Sequence, residues 1–489
     1  MMALDRRDGL FFVVIFFGLL VRLALAPPIW HHGEAREALV VQGIVRNHEW
    51  ILPLRNGELP SKPPFFHWLA ALPAFVFGPR DLIVRLPSAI GAATMAGTIF
   101  FMGSQLGGRR TGWLAAGALL GMHEFWISGS QARVDMVFAA CIAVALAGFF
   151  FWYRDGQQGT RATCYVASAC AMLAKGPVGL ILPGLTIIGF LIFEGRFRHL
   201  WAFWSWPLAA LLLLVDLGWY AFAYNIGGNE FLDLQIATEN VDRFFGRGSF
   251  AAENTSFDTL VWLAIQTLPW NLVLVWSLIR RIKGDREDCA GRFLHAWWIS
   301  IFVFFVFAAR SRPVYLLPMY PAIALLAARA IGDRIRSFAE PSVIESIEKA
   351  RPPWWCPKEI VKQVGVGVAI FDVTLMLLVK PTYWTDWNAR NARLVFIEDI
   401  RAIVSPGKQL FSAPEFDPTD AMIFAYRLRR EIARKPLLCA SPDDYFLLRS
   451  DSTNVPGVET QVRASSTSDG VSLVEVIRKN ASAELACIR

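Results

Sequence analysis

A charged side chain that interrupts an apolar stretch is expensive unless something pairs with it, so such interruptions are where chemistry is sought first. This sequence has few, and they come in a fixed order. Gly33-Glu34-Ala35-Arg36-Glu37-Ala38 follows the first apolar stretch, and Ser61-Lys62-Pro63-Pro64 and Arg85 come next. Arg133 with Asp135, then Lys175-Gly176-Pro177, punctuate later runs. Glu239-Asn240-Val241-Asp242-Arg243-Phe244, Arg310 and Arg312-Pro313-Val314-Tyr315 complete the set. Lysine and arginine fixed at headgroup level bind phosphate oxygens, and a carboxylate there can take the proton of a hydroxyl. Pro63 and Pro64 stiffen the backbone just after Lys62, which suits a fixed cation.

Each residue also has a plainer reading. Lys62 can snorkel to headgroups with no specific partner. Asp135 can be an acid favoured by the N-terminal end of a helix dipole. Lys175 can mark a tight turn, Arg312 can be a membrane anchor, and 239–244 can be a solvated helix face. Taken singly, each signal is weak.

The elements that must position these residues are apolar runs. The chain has 489 residues, 55% of them hydrophobic and only 18% charged, and a mean hydropathy of +0.40. Eleven spans are predicted, at 10–27, 86–106, 112–127, 136–153, 161–174, 177–194, 201–222, 257–278, 293–309, 314–333 and 362–380. The first is read as an uncleaved span, because Pro27 and Pro28 end it and no small-residue cleavage site follows. Segment 64–78 decides the sidedness of everything after it. If it lies in the interface, Arg109, Arg110, Arg154, Arg196, Arg198, Arg280, Arg281, Lys283, Arg286 and Arg292 all fall on the face of the N-terminus, as the positive-inside rule requires. The N-terminus is then cytoplasmic, and the polar set collects at the outer face. A helix to about Asn47 is expected in the first outer loop, with Leu39, Val40, Ile44 and Val45 toward lipid.

From 381 the composition changes. Strand-like stretches at 408–412, 444–449 and 471–477 and a helix-like stretch at 418–430 predict a small α/β domain. The fold class is therefore mainly α: residues 1–380 form a polytopic membrane bundle with interfacial helices, and 381–489 an extracytoplasmic α/β domain.

Composition also excludes classes. The net charge of +7 sits beside apolar runs, and no basic stretch interleaved with aromatics suggests nucleic acid. Of seven cysteines, Cys141, Cys164 and Cys170 lie in apolar runs, and Cys289 and Cys356 in loops read as cytoplasmic. Cys439 and Cys487 share the C-terminal region, where an oxidising compartment would permit a bridge. No metal-ligand spacing is present, and His31-His32 is only a pair.

In its order and spacing the polar set resembles the GT-C membrane glycosyltransferases of the protein-mannosyltransferase type, in the bacterial branch that includes the lipid A aminoarabinose transferase. The likeness runs from about 10 to 335. The family's Asp-Glu-x-Arg-Tyr-Ala looks like Gly33 to Ala38, and its Asn-Gly-Glu and Lys-Pro-Pro like Asn56-Gly57-Glu58 and Lys62-Pro63-Pro64. Arg-Leu-Pro-Ser stands at Arg85 to Ser88, the later acid at Asp135, Lys-Gly-Pro at 175–177 and Glu-Asn-x-x-Arg-Phe at Glu239 to Phe244. Ser-Lys-x-Pro-x-Tyr-x-x-Pro looks like Ser311-Arg312-Pro313-Val314-Tyr315 with Pro318, the spacing shifted by one. Gly33 replaces the family's first acid and usual base.

The resemblance implies an inverting transfer from a polyprenyl-phosphate-linked sugar to a lipid, glycan or protein at the outer face of the inner membrane. Lys62 and Arg312, with Lys175, are expected to hold the phosphate. Glu34 is expected to be the base, its longer side chain reaching the same space from the next position, with Asp135 or Glu37 as the alternatives; Asp135 otherwise orients the acceptor. Arg36, Glu37, Arg85, Glu239, Asn240, Arg243 and Tyr315 are further candidates. No obligatory metal is expected; a divalent cation between Glu34 and Asp135 is the alternative. Two other classes fit the same scaffold: a transporter of lipid-linked sugar, and a non-catalytic member of the fold.

Overall fold

The computed structural model describes residues 6–247, 255–282, 288–338, 394–405, 407–450, 458–466 and 471–479. The predicted span 362–380, Cys356 and Cys487 lie outside the described residues. The chain divides into two compact units. One takes in residues up to 26, 61–70 and the chain from 85 onward through the helices. The other takes in 27–60, 71–84 and the C-terminal residues.

The first unit is built from apolar helices. Its long elements are α1 (Arg6–Leu25), α4 (Asp81–Gly107, mostly in this unit), α5 (Arg109–Leu120), α6 (His123–Ser130), α7 (Val134–Asp155), α8 (Gln158–Lys175), α9 (Val178–Glu194) and α11 (Trp206–Leu232), the last preceded by the short α10 (His199–Phe203). After a π-helical stretch (Asp233–Asp242) and the turn α12 (Arg243–Phe245) come α13 (Ser256–Gln266), α14 (Trp270–Ile282), α15 (Cys289–Val306) and α16 (Tyr320–Phe338). Among the described residues, five helices are long and apolar enough to cross a membrane: those at Asp81–Gly107, Val134–Asp155, Trp206–Phe245, Cys289–Val306 and Pro313–Gly332. The predicted run 257–278 is two helices bent by 113°, a sixth span if counted as one. The run 112–127 breaks in two at Gly121-Met122, between α5 and α6. Segment 64–78 is the helix α3 (Phe65–Phe77) of 13 residues. At 1.5 Å per residue it reaches about 20 Å, short of a hydrocarbon core of roughly 30 Å.

Aromatic packing ties these helices together. Phe149 and Phe150 of α7, Phe190 of α9 and Phe293 of α15 are all fully buried, with Phe150 to Phe293 at 4.8 Å and Phe190 to Phe293 at 5.2 Å between ring centres. Gly148 lets α7 and α8 approach closely, since a Cβ there would stand 2.9 Å from the Cys164 amide nitrogen. Gly156, with φ of 71°, turns the chain so that α7 and α8 form an antiparallel hairpin. The hairpin brings the start of α7 to the end of α8.

The ends of this bundle differ in chemistry. At one end Arg292 pairs with Glu194 at 2.5 Å, Arg154 with Asp155 at 2.6 Å, and His199 packs on Tyr153. These residues come from loops that sequence reading placed together on one face. Asp135 lies at the other end of α7, about 30 Å away for a helix of 22 residues.

The second unit packs α2 (His32–Asn47) against the helix at Pro418–Leu428. Leu39, Val40 and Ile44 are buried in protein, which corrects the expectation that they face lipid. The partner helix supplies the apolar face that covers them, with Ile423 and Phe424 also buried. Asn56 (φ 52°) and Gly57 (φ 80°) form the tight turn expected of Asn-Gly, closed by Arg55 and Glu58. The Asn56 amide then clasps Ile432, accepting from its N–H at 2.8 Å and donating to its carbonyl at 3.0 Å. Asp81 accepts from the Ile29 amide, the Tyr426 hydroxyl and the Arg427 guanidinium at 2.7–2.9 Å.

The C-terminal sheet has five strands: β1 (Leu410–Ser412), β2 (Ala433–Arg434), β3 (Tyr445–Arg449), β4 (Val458–Ser466) and β5 (Val471–Lys479), in the order β2-β1-β3-β5-β4. β1 runs parallel to β2 and β3, while β5 is antiparallel to β3 and β4. Three of the strands fall in the predicted stretches; β2 and β4 carry too little apolar alternation to be seen from sequence. Cys439 is disulfide-bonded.

Candidate functional site: paired cation clusters

The polar residues of the first unit assemble where helix ends meet. Asp135 opens α7 and Lys175 closes α8, so the hairpin sets them together: the Lys175 ammonium donates to Asp135 Oδ1 at 2.6 Å. Arg133 reaches the other oxygen, Oδ2, at 3.1 Å. Both placements agree with the helix dipoles, an acid at an N-terminus and a cation at a C-terminus. Gly176, at φ of 83°, makes the turn into Pro177 and α9 that a residue with a Cβ would resist. Arg85 is buried on α4, and Ser88 one turn on donates to the Arg133 carbonyl at 3.2 Å.

A second cluster forms around Glu239. The π-helical stretch that carries it is a rare backbone form that tends to occur at functional positions. Glu239 Oε2 accepts from the Lys62 ammonium at 2.8 Å and from the Arg243 guanidinium at 2.6 Å. Lys62 and Glu239 side chains are each 9% exposed. Burial pushes the Lys62 amine below the ordinary lysine range; Glu239 opposes that shift, and Arg243 adds to it. Asn240, beside Glu239, donates to the Gln235 carbonyl.

Tyr315 links the clusters. The Lys175 ammonium lies 4.2 Å from the centre of its ring, a cation–π contact. Lys62, Lys175, Arg243 and Asp135 all act electrostatically on Tyr315. Among the ion pairs of the described residues, each cluster holds two cations on one carboxylate: Lys62 and Arg243 on Glu239, Lys175 and Arg133 on Asp135. Each cluster therefore sets two cations side by side on one anion. Cations gathered at one enclosed place favour an anionic ligand.

The other candidates are placed differently. Arg312 is exposed and makes no ion pair among the described residues, so the cation that shares a carboxylate with Lys62 is Arg243. Ser311, beside it, is buried and bonded to Thr259 at 3.2 Å. Glu34, Arg36 and Glu37 belong to the other unit. Glu34 is buried in the first turn of α2, whose start is capped by His31 Nδ1 accepting from the Gly33 amide at 3.1 Å. Glu37 is buried and paired to Arg36 at 2.7 Å. Among the described residues, no group of three or more His, Cys, Asp or Glu side chains could hold a metal ion.

Sequence reading passed over Asp216, a single acid within the apolar run of α11, and Tyr220 one turn later. The signal was present, since an acid inside such a run is itself an anomaly.

An apolar helical bundle with these clusters, in a chain that also carries a small mixed sheet, has the fold of a solved structure, ArnT from Cupriavidus metallidurans. Residues 61–219 match the family model described as dolichyl-phosphate-mannose-protein mannosyltransferase. An undecaprenyl phosphate-alpha-4-amino-4-deoxy-L-arabinose arabinosyl transferase of Shewanella sediminis is 26% identical over 346 residues, covering 68% of this chain and 62% of that one. Its counterpart in Pseudomonas paraeruginosa is 27% identical over 342 residues, with 68% and 61% covered. The alignments thus span less than two thirds of these relatives. Among solved structures, ArnT from Cupriavidus metallidurans bound to undecaprenyl phosphate has a TM-score of 0.76 at 18% identity, covering 97% of this chain and 98% of that one. The Archaeoglobus fulgidus oligosaccharyltransferase in its apo form has a TM-score of 0.53 at 13% identity, covering 88% and 64%.

Proposed function

We propose that the protein is a membrane glycosyltransferase that moves a sugar from a polyprenyl-phosphate carrier to an acceptor hydroxyl at the outer face of the inner membrane. The observation that carries this reading is the pair of clusters around Tyr315, each of which gathers two cations on one carboxylate. A sugar linked through a phosphodiester carries one negative charge on its phosphate. When the bond from the anomeric carbon to the phosphate oxygen breaks, that oxygen keeps the electron pair and the leaving phosphate gains a second charge. Preorganised cations stabilise that gain more than they stabilise the intact donor, which is the condition for catalysis.

Lys62 and Arg243 are assigned to the phosphate, with Glu239 as the anion it competes against. Lys175 and Tyr315 border it, and exposed Arg312 adds positive charge at longer range. Glu34 is assigned as the base: its carboxylate takes the acceptor hydroxyl proton as the new bond forms from acceptor oxygen to anomeric carbon. Attack opposite the leaving phosphate inverts that carbon. Asp135 holds Lys175 and Arg133 in place and is close enough to Tyr315 to orient an acceptor there. Charge neutralisation by Lys and Arg makes a divalent cation dispensable in this scheme. Lipid, glycan and protein acceptors all offer the required hydroxyl, and the relatives' aminoarabinose donor is the first to assay.

The orientation assigned is an N-terminus in the cytoplasm and C-terminal residues outside. The gathering of basic loops at one bundle end supports it, as does the disulfide at Cys439, a bond favoured by oxidising compartments.

The test is incubation of the purified full-length protein with undecaprenyl phosphate-linked 4-amino-4-deoxy-L-arabinose and other polyprenyl-phosphate sugars, with candidate acceptors. Release of undecaprenyl phosphate with transfer of the sugar is expected. Movement of intact donor across a vesicle membrane without cleavage would replace this reading with transport. Neither activity would make the protein a non-catalytic member of the fold, which the Gly33 departure permits.

A further inference from the structure

α11 carries one acid within its apolar run. Asp216 has 0% exposure, and neither of its carboxyl oxygens has a hydrogen-bond partner. One helical turn later the Tyr220 hydroxyl is also buried without a partner. Residues four apart share a helix face, and a helical side chain leans back over the preceding turn, so the Tyr220 ring covers the turn of Asp216. Asp216 acts electrostatically on Tyr220 and on Cys170 of α8. Buried polar groups are nearly always satisfied, and two orphans on one face call for an explanation other than packing.

Their position supplies one. A Cβ built on Gly176 would stand 3.5 Å from the Tyr220 hydroxyl and 3.4 Å from the Asn240 amide nitrogen. Tyr220 and Asn240 thus converge on the bare Cα of the residue after Lys175, whose ammonium is held by Asp135 and the Tyr315 ring. Tyr220 therefore borders the cation clusters, and Asp216 lies one turn before it, about 6 Å of helix rise away.

We propose that Asp216 and Tyr220 form a polar subsite beside the cation clusters that receives a hydrogen-bond-donating group, an amine or a hydroxyl, of the sugar being transferred. The carboxyl offers acceptors, and the phenol offers one donor and one acceptor. An amine gains more than a hydroxyl from a carboxyl that has no cation of its own, because the bond is charge-assisted. The inference rests on the proposed function and names the group that reads the sugar, which the phosphate-binding cations cannot do.

The experiment measures binding of three lipids to the purified full-length protein: undecaprenyl phosphate alone, the same lipid bearing 4-amino-4-deoxy-L-arabinose, and the same lipid bearing arabinose. Wild type is expected to bind a sugar-bearing lipid more tightly than the bare one. Asp216→Asn and Tyr220→Phe should each weaken that lipid about tenfold, the scale of one lost hydrogen bond. Bare-lipid affinity and Tm should not fall, because the atoms altered have no partner in the folded protein. A larger loss for the amine-bearing lipid in Asp216→Asn identifies the amine as the recognised group; equal losses identify a hydroxyl. The subsite is overturned if neither variant changes sugar-lipid affinity, if wild type does not distinguish sugar-bearing from bare lipid, or if both variants lose bare-lipid binding together with Tm. Failure of wild type to bind undecaprenyl phosphate at all overturns the phosphate reading first, and the subsite with it.

Discussion

An ammonium enclosed by protein keeps its charge only if neighbours replace the water it has lost, and Lys62 has one carboxylate that it shares with Arg243. A phosphate entering this cluster competes with Glu239 for the same donors. Lys62→Ala and Arg243→Ala should each weaken undecaprenyl phosphate binding by about 10- to 100-fold, the range expected for charged hydrogen bonds of roughly 1.5–3 kcal/mol. Glu239→Gln should instead strengthen binding, because it removes the competing anion; weaker binding would mean that Glu239 positions the cations. The lowered Lys62 amine sets the pH dependence. Lipid binding needs the protonated form, which exists below the amine's pKa, so affinity should decline as pH rises, starting below the range where an ordinary lysine titrates. Lys62→Arg should move that decline to higher pH. At Glu34 the expected split is kinetic: Glu34→Gln should lower kcat by 100-fold or more, within the usual range of general-base contributions, while the donor's KM stays close to that of wild type. Full turnover in this variant would remove Glu34 as the base.

At the scale of elements, the hairpin of α7 and α8 has fixed ends, and its loop at Gly156 is far from the chemistry it organises. Its polar end was visible in sequence as Asp135 and Lys175, each at the edge of an apolar run. Their pairing was not, because 40 residues separate them and only the antiparallel return of α8 closes that gap. Asn56 shows the opposite balance. Asn-Gly announced its turn from local backbone preference alone, yet the same side chain also clasps Ile432, 376 residues away. Asn56→Ala removes both hydrogen bonds and places alanine at positive φ, so thermal or denaturant unfolding should show a loss of about 2–3 kcal/mol. Asn56→Asp, which keeps the acceptor to the Ile432 amide, should recover part of it.

At the scale of the whole molecule, membrane placement follows from composition, and it is testable by sidedness. Of cysteines placed singly in a cysteine-free variant, one in the C-terminal sheet should react with a membrane-impermeant maleimide on intact spheroplasts, and one in loop 195–198 only after lysis. Labelling of both from outside would invert the assignment of the basic loops to the cytoplasm. Apolar runs of this length declare themselves helical without any knowledge of their neighbours, because lipid leaves the backbone no other partner. The order of helices and the positions of the polar interruptions were accordingly determined by the sequence alone. Which cation meets which carboxylate was decided only in three dimensions. Lys62 finds Glu239 across 177 residues, and Arg243 rather than Arg312 joins them, because a π-helical stretch after the Gly228 kink turns Glu239 and Arg243 to one point. Charges interact through space, over distances that the folded path sets and the order of residues does not record.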